Sequence, residues 1–124
     1  ESPGLESGMM LPQYVAAALT SENKTLAHPA SADSVPTSAN KEDYVSMGMW
    51  SALKLGRVVD NVSRILAIEF LTARRGLSFH APLKAGRRLE ALLSRLPILR
   101  GDKATGRTVE SVRELVLGGS LGSL

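Results

Sequence analysis

Cysteine is absent from these 124 residues, which excludes a disulfide framework, a thiol nucleophile and a cysteine-ligated zinc site. Histidine is scarce: His28 and His80 stand far apart in sequence, so no metal ligands are assigned. A long hydrophobic run is missing as well. The longest nearly uncharged stretch, Gly8 to Thr20, includes Pro12 and Gln13 and falls short of the roughly 20 apolar residues of a spanning helix. No membrane partner is expected. The chain opens on Glu1, with neither a basic leader nor a cleavage-site pattern, and reads as an excised piece or processed product without a signal peptide. Aromatic residues make up only 4% of the chain, too few to interleave with its basic residues as stacking platforms, so nucleic acid is not an expected partner.

What is present suits one helical domain, because 44% hydrophobic residues can supply a core for a chain of this length. Charge is divided unevenly. Residues 1–53 hold 2 basic and 6 acidic groups, whereas residues 54–113 hold 13 basic and 5 acidic ones. Lys54, Arg57, Arg64, Arg74 and Arg75 spread along one helical run, which fits a solvated face or a landing site for an acidic partner.

Periodicity predicts four helices and no strand, hence an all-α fold. The first covers Met9 to about Asn23, with Pro12 tolerated in its first turn. Residues 24–40 then read as a loop, since Pro29 and Pro36 favour extended backbone before them. A long central helix is expected from Glu42 to Gly76, the glycine closing it in a left-handed cap. It carries two apolar stripes: Val45, Met49, Leu53, Val59, Val62, Leu66 and Phe70 form one, and Leu55, Val58, Ile65, Ile68 and Leu71 the other. Such a rod is ~50 Å long, against a diameter of roughly 35 Å for a compact domain of this size. It therefore outgrows the chain's own short helices and needs further packing partners. Those helices are Ala85–Leu96, stopped by Pro97, and Thr108–Leu117, with Thr108 as N-cap, before a tail expected to be flexible from about residue 118.

The charged run Lys41, Glu42, Asp43 admits two readings. In one, Asn40 is the N-cap and the two acids sit at the positive pole of the long helix. In the other, a carboxylate on a first helical turn faces a cleft and holds an amine or imidazole.

The segments "SGMM", "AAALTSENK", "HPASADSVPTSANKEDYVSMG" and "RVVDNVSRILAIEFL" follow one another in this order. Together they resemble the C-terminal part of the aromatic amino-acid lyase superfamily, nearest to its histidine ammonia-lyase branch. The likeness is close over residues 3–83, and the whole of 1–124 then reads as a C-terminal helical fragment. In this superfamily a methylidene-imidazolone electrophile captures the substrate, a base removes a β-proton and ammonia leaves; from histidine the product is urocanate. The electrophile forms from an Ala-Ser-Gly triplet, which does not occur here, so it is expected from a missing N-terminal part, together with the usual tyrosine base and carboxylate-binding arginine.

The resemblance implies a cytoplasmic homotetramer built around a central helical bundle, with the remainder of the enzyme chain and an amino-acid substrate as partners. By motif, Glu42 matches the glutamate facing the substrate side chain and is the implied catalytic residue. Met10, Lys41 and Glu42 are the implied substrate-binding residues. Met10 stands where plant-type phenylalanine lyases have lysine, and Ser38 where they have glutamate. Lys41 replaces the branch's usual glutamine and Tyr44 its histidine, and Tyr44 reads as a packing residue. A tyrosine or phenylalanine lyase, an aminomutase, and a non-catalytic helical interaction module are the alternatives.

Overall fold

The computed structural model describes residues 8–99 and 106–121. Four helices account for most of it: α1 (Met10–Leu26), α2 (Gly48–Ser78), α3 (Arg87–Arg95) and α4 (Gly106–Leu117). Two short 3-10 turns, Ala30–Ala32 and Ser38–Asn40, lie in the connection between α1 and α2. The one extended pairing among the described residues is a bridge between Thr37 and Glu42, so the all-α expectation holds.

The boundaries move for identifiable reasons. Helix α1 runs to Leu26 rather than Asn23, because Lys24 and Thr25 are compatible with helix and the extended backbone of Pro29 (φ −64°, ψ 123°) comes only later. Helix α2 begins at Gly48, not Glu42, since the amides that would start it are already bonded elsewhere. The Val45 amide donates to Ser34 Oγ at 2.9 Å, and the Glu42 amide to the Thr37 carbonyl at 3.3 Å. The helix position before Gly48 belongs to Met47, and no acid stands in the first turn. Asn40 is therefore not an N-cap, and the helix-dipole argument for Glu42 and Asp43 does not apply. At the other end α2 passes through Gly76 to Ser78, with Gly76 in ordinary backbone rather than a left-handed cap.

Helix α3 starts at Arg87, two residues late, behind an extended Gly86 (φ −63°, ψ 156°); the Glu90 carboxylate reaches back to accept the Ala85 amide at 2.9 Å. It ends at Arg95 because Leu96, preceding Pro97, is extended (φ −87°, ψ 143°). Thr108 lies inside α4 rather than at its cap. Of the tail, Gly118–Leu121 turns back on the fold: Arg95 donates to the Ser120 carbonyl, and Leu121 packs against the core. Residues 122–124 lie outside the described residues.

The core gathers at the C-terminal half of α2. Ala67 and Leu71 meet Leu96, Leu99 and Val112, with Met9, Phe70, Leu92, Leu93 and Val109 packed around them. At ~1.5 Å per residue, the 31 residues of α2 extend about 46 Å, and apolar side chains along its first half stay uncovered although α1 packs beside it. Met49 (75% exposed) and Leu53 (54%) lie bare, as do Val59, Val62 and Leu66 further along. Of the second stripe, Ile68 and Leu71 are buried. The division runs along the helix rather than between the stripes: Phe70 of the first also packs on the core, whereas Leu55 of the second is 62% exposed.

Each member of the basic run has a partner within the chain. Lys54 donates to the His28 carbonyl, Arg57 pairs with Glu22, Arg64 with Asp60 and Glu110, Arg74 donates to the Leu93 carbonyl, and the Arg75 guanidinium lies 4.7 Å from the Phe79 ring centre. Buried Asn61 adds to the α1–α2 joint, donating to Glu22 at 3.0 Å and Asn23 at 2.9 Å.

Helix α4 is tied to α2 by Arg113, which pairs with Asp60 and Glu110 and donates to buried Ser63 Oγ at 3.0 Å. The hydrogen bond from Arg64 outweighs the opposing effect of burial and, with the charges of Arg64 and Arg113, holds the Asp60 carboxyl below the usual aspartate range. A lowered native value means that the pairing contributes stability fully above the unfolded value of about 3.9, and that this is lost as the pH falls through the lower native value. The urea midpoint is thus expected to fall more steeply below about pH 4 in the unsubstituted protein than in Asp60→Asn. Superimposable acid profiles would show that the Asp60 pairing contributes nothing to the α2–α4 joint.

Candidate functional site

Thr37 to Glu42 close a small loop directly before α2. Its ends are joined by two backbone bonds, Thr37 N to Glu42 O at 2.9 Å and Glu42 N to Thr37 O at 3.3 Å. Between them Ser38, Ala39 and Asn40 all take positive φ, at 52°, 56° and 66°. Left-handed backbone is uncommon for residues with a Cβ, Asn tolerating it best, and each such residue costs ~1–3 kcal/mol. Three in succession persist only where the surroundings hold them, and here the small side chains of Ser38 and Ala39 keep the crowding low. Pro36 sets the entry, and Thr37 follows in extended conformation (φ −129°, ψ 179°).

A second clasp lies outside the first: Ser34 Oγ accepts the Val45 amide at 2.9 Å and donates to the Val45 carbonyl at 3.4 Å. The base of the connection is fixed to α2 where Lys54 holds the His28 carbonyl. Backbone strain held by several bonds is commonly found beside functional groups, and the group it presents here is Glu42. Its carboxylate is exposed, and Oε2 accepts from Thr37 Oγ1 at 3.0 Å, leaving acceptor capacity for a donor from outside.

Lys41, next to it, is also exposed, and no ion pair among the described residues joins the two. Met10 occupies the first position of α1, 48% exposed, with its neighbour Met9 anchored against the core. No hydrogen bond among the described residues links α1's first turn to the loop. Leu11 and Pro12, which follow Met10, line a cleft of about 320 Å³ between α1, α2 and α4. Ser38 is exposed in the left-handed run. Tyr44 is 66% exposed, so it is not a packing residue within this chain. His28 takes part in the loop through its backbone, its amide donating to Thr25 O at 3.3 Å.

Sequence reasoning missed the left-handed triplet and the Ser34–Val45 clasp. Pro36 followed by small residues was the available signal for a tight turn. What the arrangement offers chemically is an accessible carboxylate on a braced loop, able to accept a hydrogen bond from, or exchange a proton with, a nitrogen base placed against it.

A single long helix, an all-helical core at one of its ends and a braced acidic loop at the other define a class. The chain belongs to the aromatic amino acid lyase family, whose sequence pattern matches residues 1–97. Among particular relatives it is similar to the histidine ammonia-lyase of Anaeromyxobacter sp. (strain K), 52% identical over 122 residues that cover 95% of this chain and 24% of that enzyme. The histidine ammonia-lyase of Rhodospirillum rubrum is 48% identical over 118 residues, 92% of this chain and 23% of that enzyme. In structure, the crystal form of histidine ammonia-lyase from Trypanosoma cruzi matches 98% of this chain and 25% of its own, at 42% identity and a TM-score of 0.89. The chain thus spans about a quarter of the length of the relatives it matches.

Proposed function

We propose that these residues form part of an ammonia-lyase that eliminates ammonia from L-histidine to give urocanate, and that their contribution is the wall holding the substrate's side chain. The observation that carries this reading is the exposed Glu42 carboxylate on the strained, doubly clasped loop, in a segment shared with histidine ammonia-lyases. A carboxylate suits imidazole, which offers N–H donors and changes its charge near neutrality. Met10, at the head of α1, and Lys41 complete the chain's share of the pocket, Met10 by apolar contact and Lys41 from the loop beside Glu42. The chemistry of activating the amino group belongs to the methylidene-imidazolone electrophile. These 124 residues hold no Ala-Ser-Gly triplet to form it, so their role is to bind, to orient and to accept a proton at the Glu42 carboxylate.

The bare stripe of α2, from Met49 to Leu66, supports packing against the rest of the enzyme and against other copies in a homotetramer. A cytoplasmic site of action is part of the same reading. No helix among the described residues is long and apolar enough to cross a membrane.

The purified 124-residue chain is expected to release no urocanate from histidine, and the complete protein to release it readily, followed by the product's ultraviolet absorbance. No side chain here can remove an unactivated β-proton unaided. Urocanate formed by the sequence-verified chain alone would contradict the division of labour.

A further inference from the structure

Away from the loop, a cleft of about 400 Å³ opens between the C-terminal end of α2, the 79–86 connection and α3. Its apolar wall includes Leu77, Leu93 and buried Leu99, with Leu83 and Ile98 at the rim, 78% and 74% exposed. Four nitrogen-bearing side chains also line it, those of Arg74, Arg75, His80 and Lys84, against one acid, Glu90. These are not equivalent. Arg74 is spent on the Leu93 carbonyl, Arg75 stacks on Phe79, and the Glu90 carboxylate accepts the Ala85 amide. Among the described residues, the Lys84 ammonium and the His80 imidazole have no side-chain partner, and both are exposed.

With three formal positive charges to one negative, the lining is cationic, and its remaining donor capacity lies beside bare leucine and isoleucine. A cleft of this size takes a ligand of drug-like bulk, oriented by a few polar groups on an apolar bed. We propose that it binds a small organic anion with an apolar body, its carboxylate or phosphate held by Lys84 and His80 and its hydrocarbon laid against Leu83, Leu93 and Ile98. This does not depend on the lyase reading, because the cleft shares no residue with the Glu42 loop.

The test is calorimetric titration of the complete protein with 4-phenylbutyrate, in parallel with 4-phenylbutanamide, which keeps the body and loses the charge, and with phenyl phosphate. Lys84→Glu and His80→Gln lie on an exposed connection and leave the core intact. The proposal expects 4-phenylbutyrate to bind, the amide to bind at least about tenfold more weakly, and Lys84→Glu to weaken the acid about tenfold or more, as loss of a charge-assisted contact should. Glu42→Gln should leave that affinity unchanged, which separates this cleft from the lyase pocket. Tighter binding of phenyl phosphate would assign the anion to the phosphate class, and tighter binding of 4-phenylbutyrate to the carboxylates. Absence of binding of either anion, equal affinity for acid and amide, or an affinity that Glu42→Gln abolishes and Lys84→Glu spares would overturn it.

Discussion

Glu42→Gln in the complete protein is expected to lower histidine turnover by roughly a hundredfold or more, the usual scale for loss of a positioned acid–base group, while the melting temperature stays nearly constant. The structure sharpens both halves of that expectation. Because Glu42 lies in a loop and not in the first turn of α2, its charge does not serve a helix dipole, and removing it loses no capping energy. Glutamine retains a carbonyl oxygen that can still accept from Thr37 Oγ1, now 3.0 Å from the carboxylate, and the two backbone bonds of the loop are untouched. What glutamine cannot do is accept a proton or pair as an anion with an imidazolium. A substrate without imidazole should be affected far less. Unaltered histidine kinetics in a folded Glu42→Gln protein would leave the carboxylate as no more than a partner for Thr37.

Leu71→Ala should produce the largest loss of stability. Leu71 is 0% exposed and sits where α2 meets Leu96, Leu99 and Val112, so truncation removes buried methyls at a place enclosed from three directions. Substitutions of this kind cost about 2–5 kcal/mol, a large part of the 5–15 kcal/mol that typically separates folded from unfolded states. Leu83→Ala, at a side chain 78% exposed, should change stability by less than about 0.5 kcal/mol. Chemical denaturation of the two variants beside the unsubstituted protein makes the comparison. Equal midpoints would mean that α3 and α4 do not close on α2 as described.

Helix α2 was legible because its apolar residues recur at helical spacing over many turns, and the same spacing showed that its two stripes could not both be covered by this chain. Its start was not legible. Lys41, Glu42 and Asp43 have the composition of a helix N-terminus, and what displaces the helix is a bond from the Val45 amide to Ser34, eleven positions back, which no local pattern announces. The end at Ser78 was misjudged for a related reason: glycine permits a left-handed cap but does not require one, and nothing at Gly76 takes its freedom. The basic residues of α2 looked unpartnered because partners are remote, Arg57 reaching Glu22 on α1 and Arg64 reaching Glu110 on α4. Glu42 was singled out by resemblance alone. Physics by itself made it a helix-start acid, and only the folded loop shows a carboxylate held out on strained backbone.

The central claim, that this loop shapes a pocket for imidazole, is tested most directly by the selectivity of the complete, unsubstituted protein. Its kcat/KM should be measured on L-histidine and on L-tyrosine under one set of conditions. The carboxylate at Glu42, with methionine at position 10 and serine at position 38, predicts histidine as the better substrate by at least about a hundredfold, the scale of discrimination a charge-assisted contact to the substrate can supply. A protein that turns over tyrosine as well as or better than histidine would contradict it.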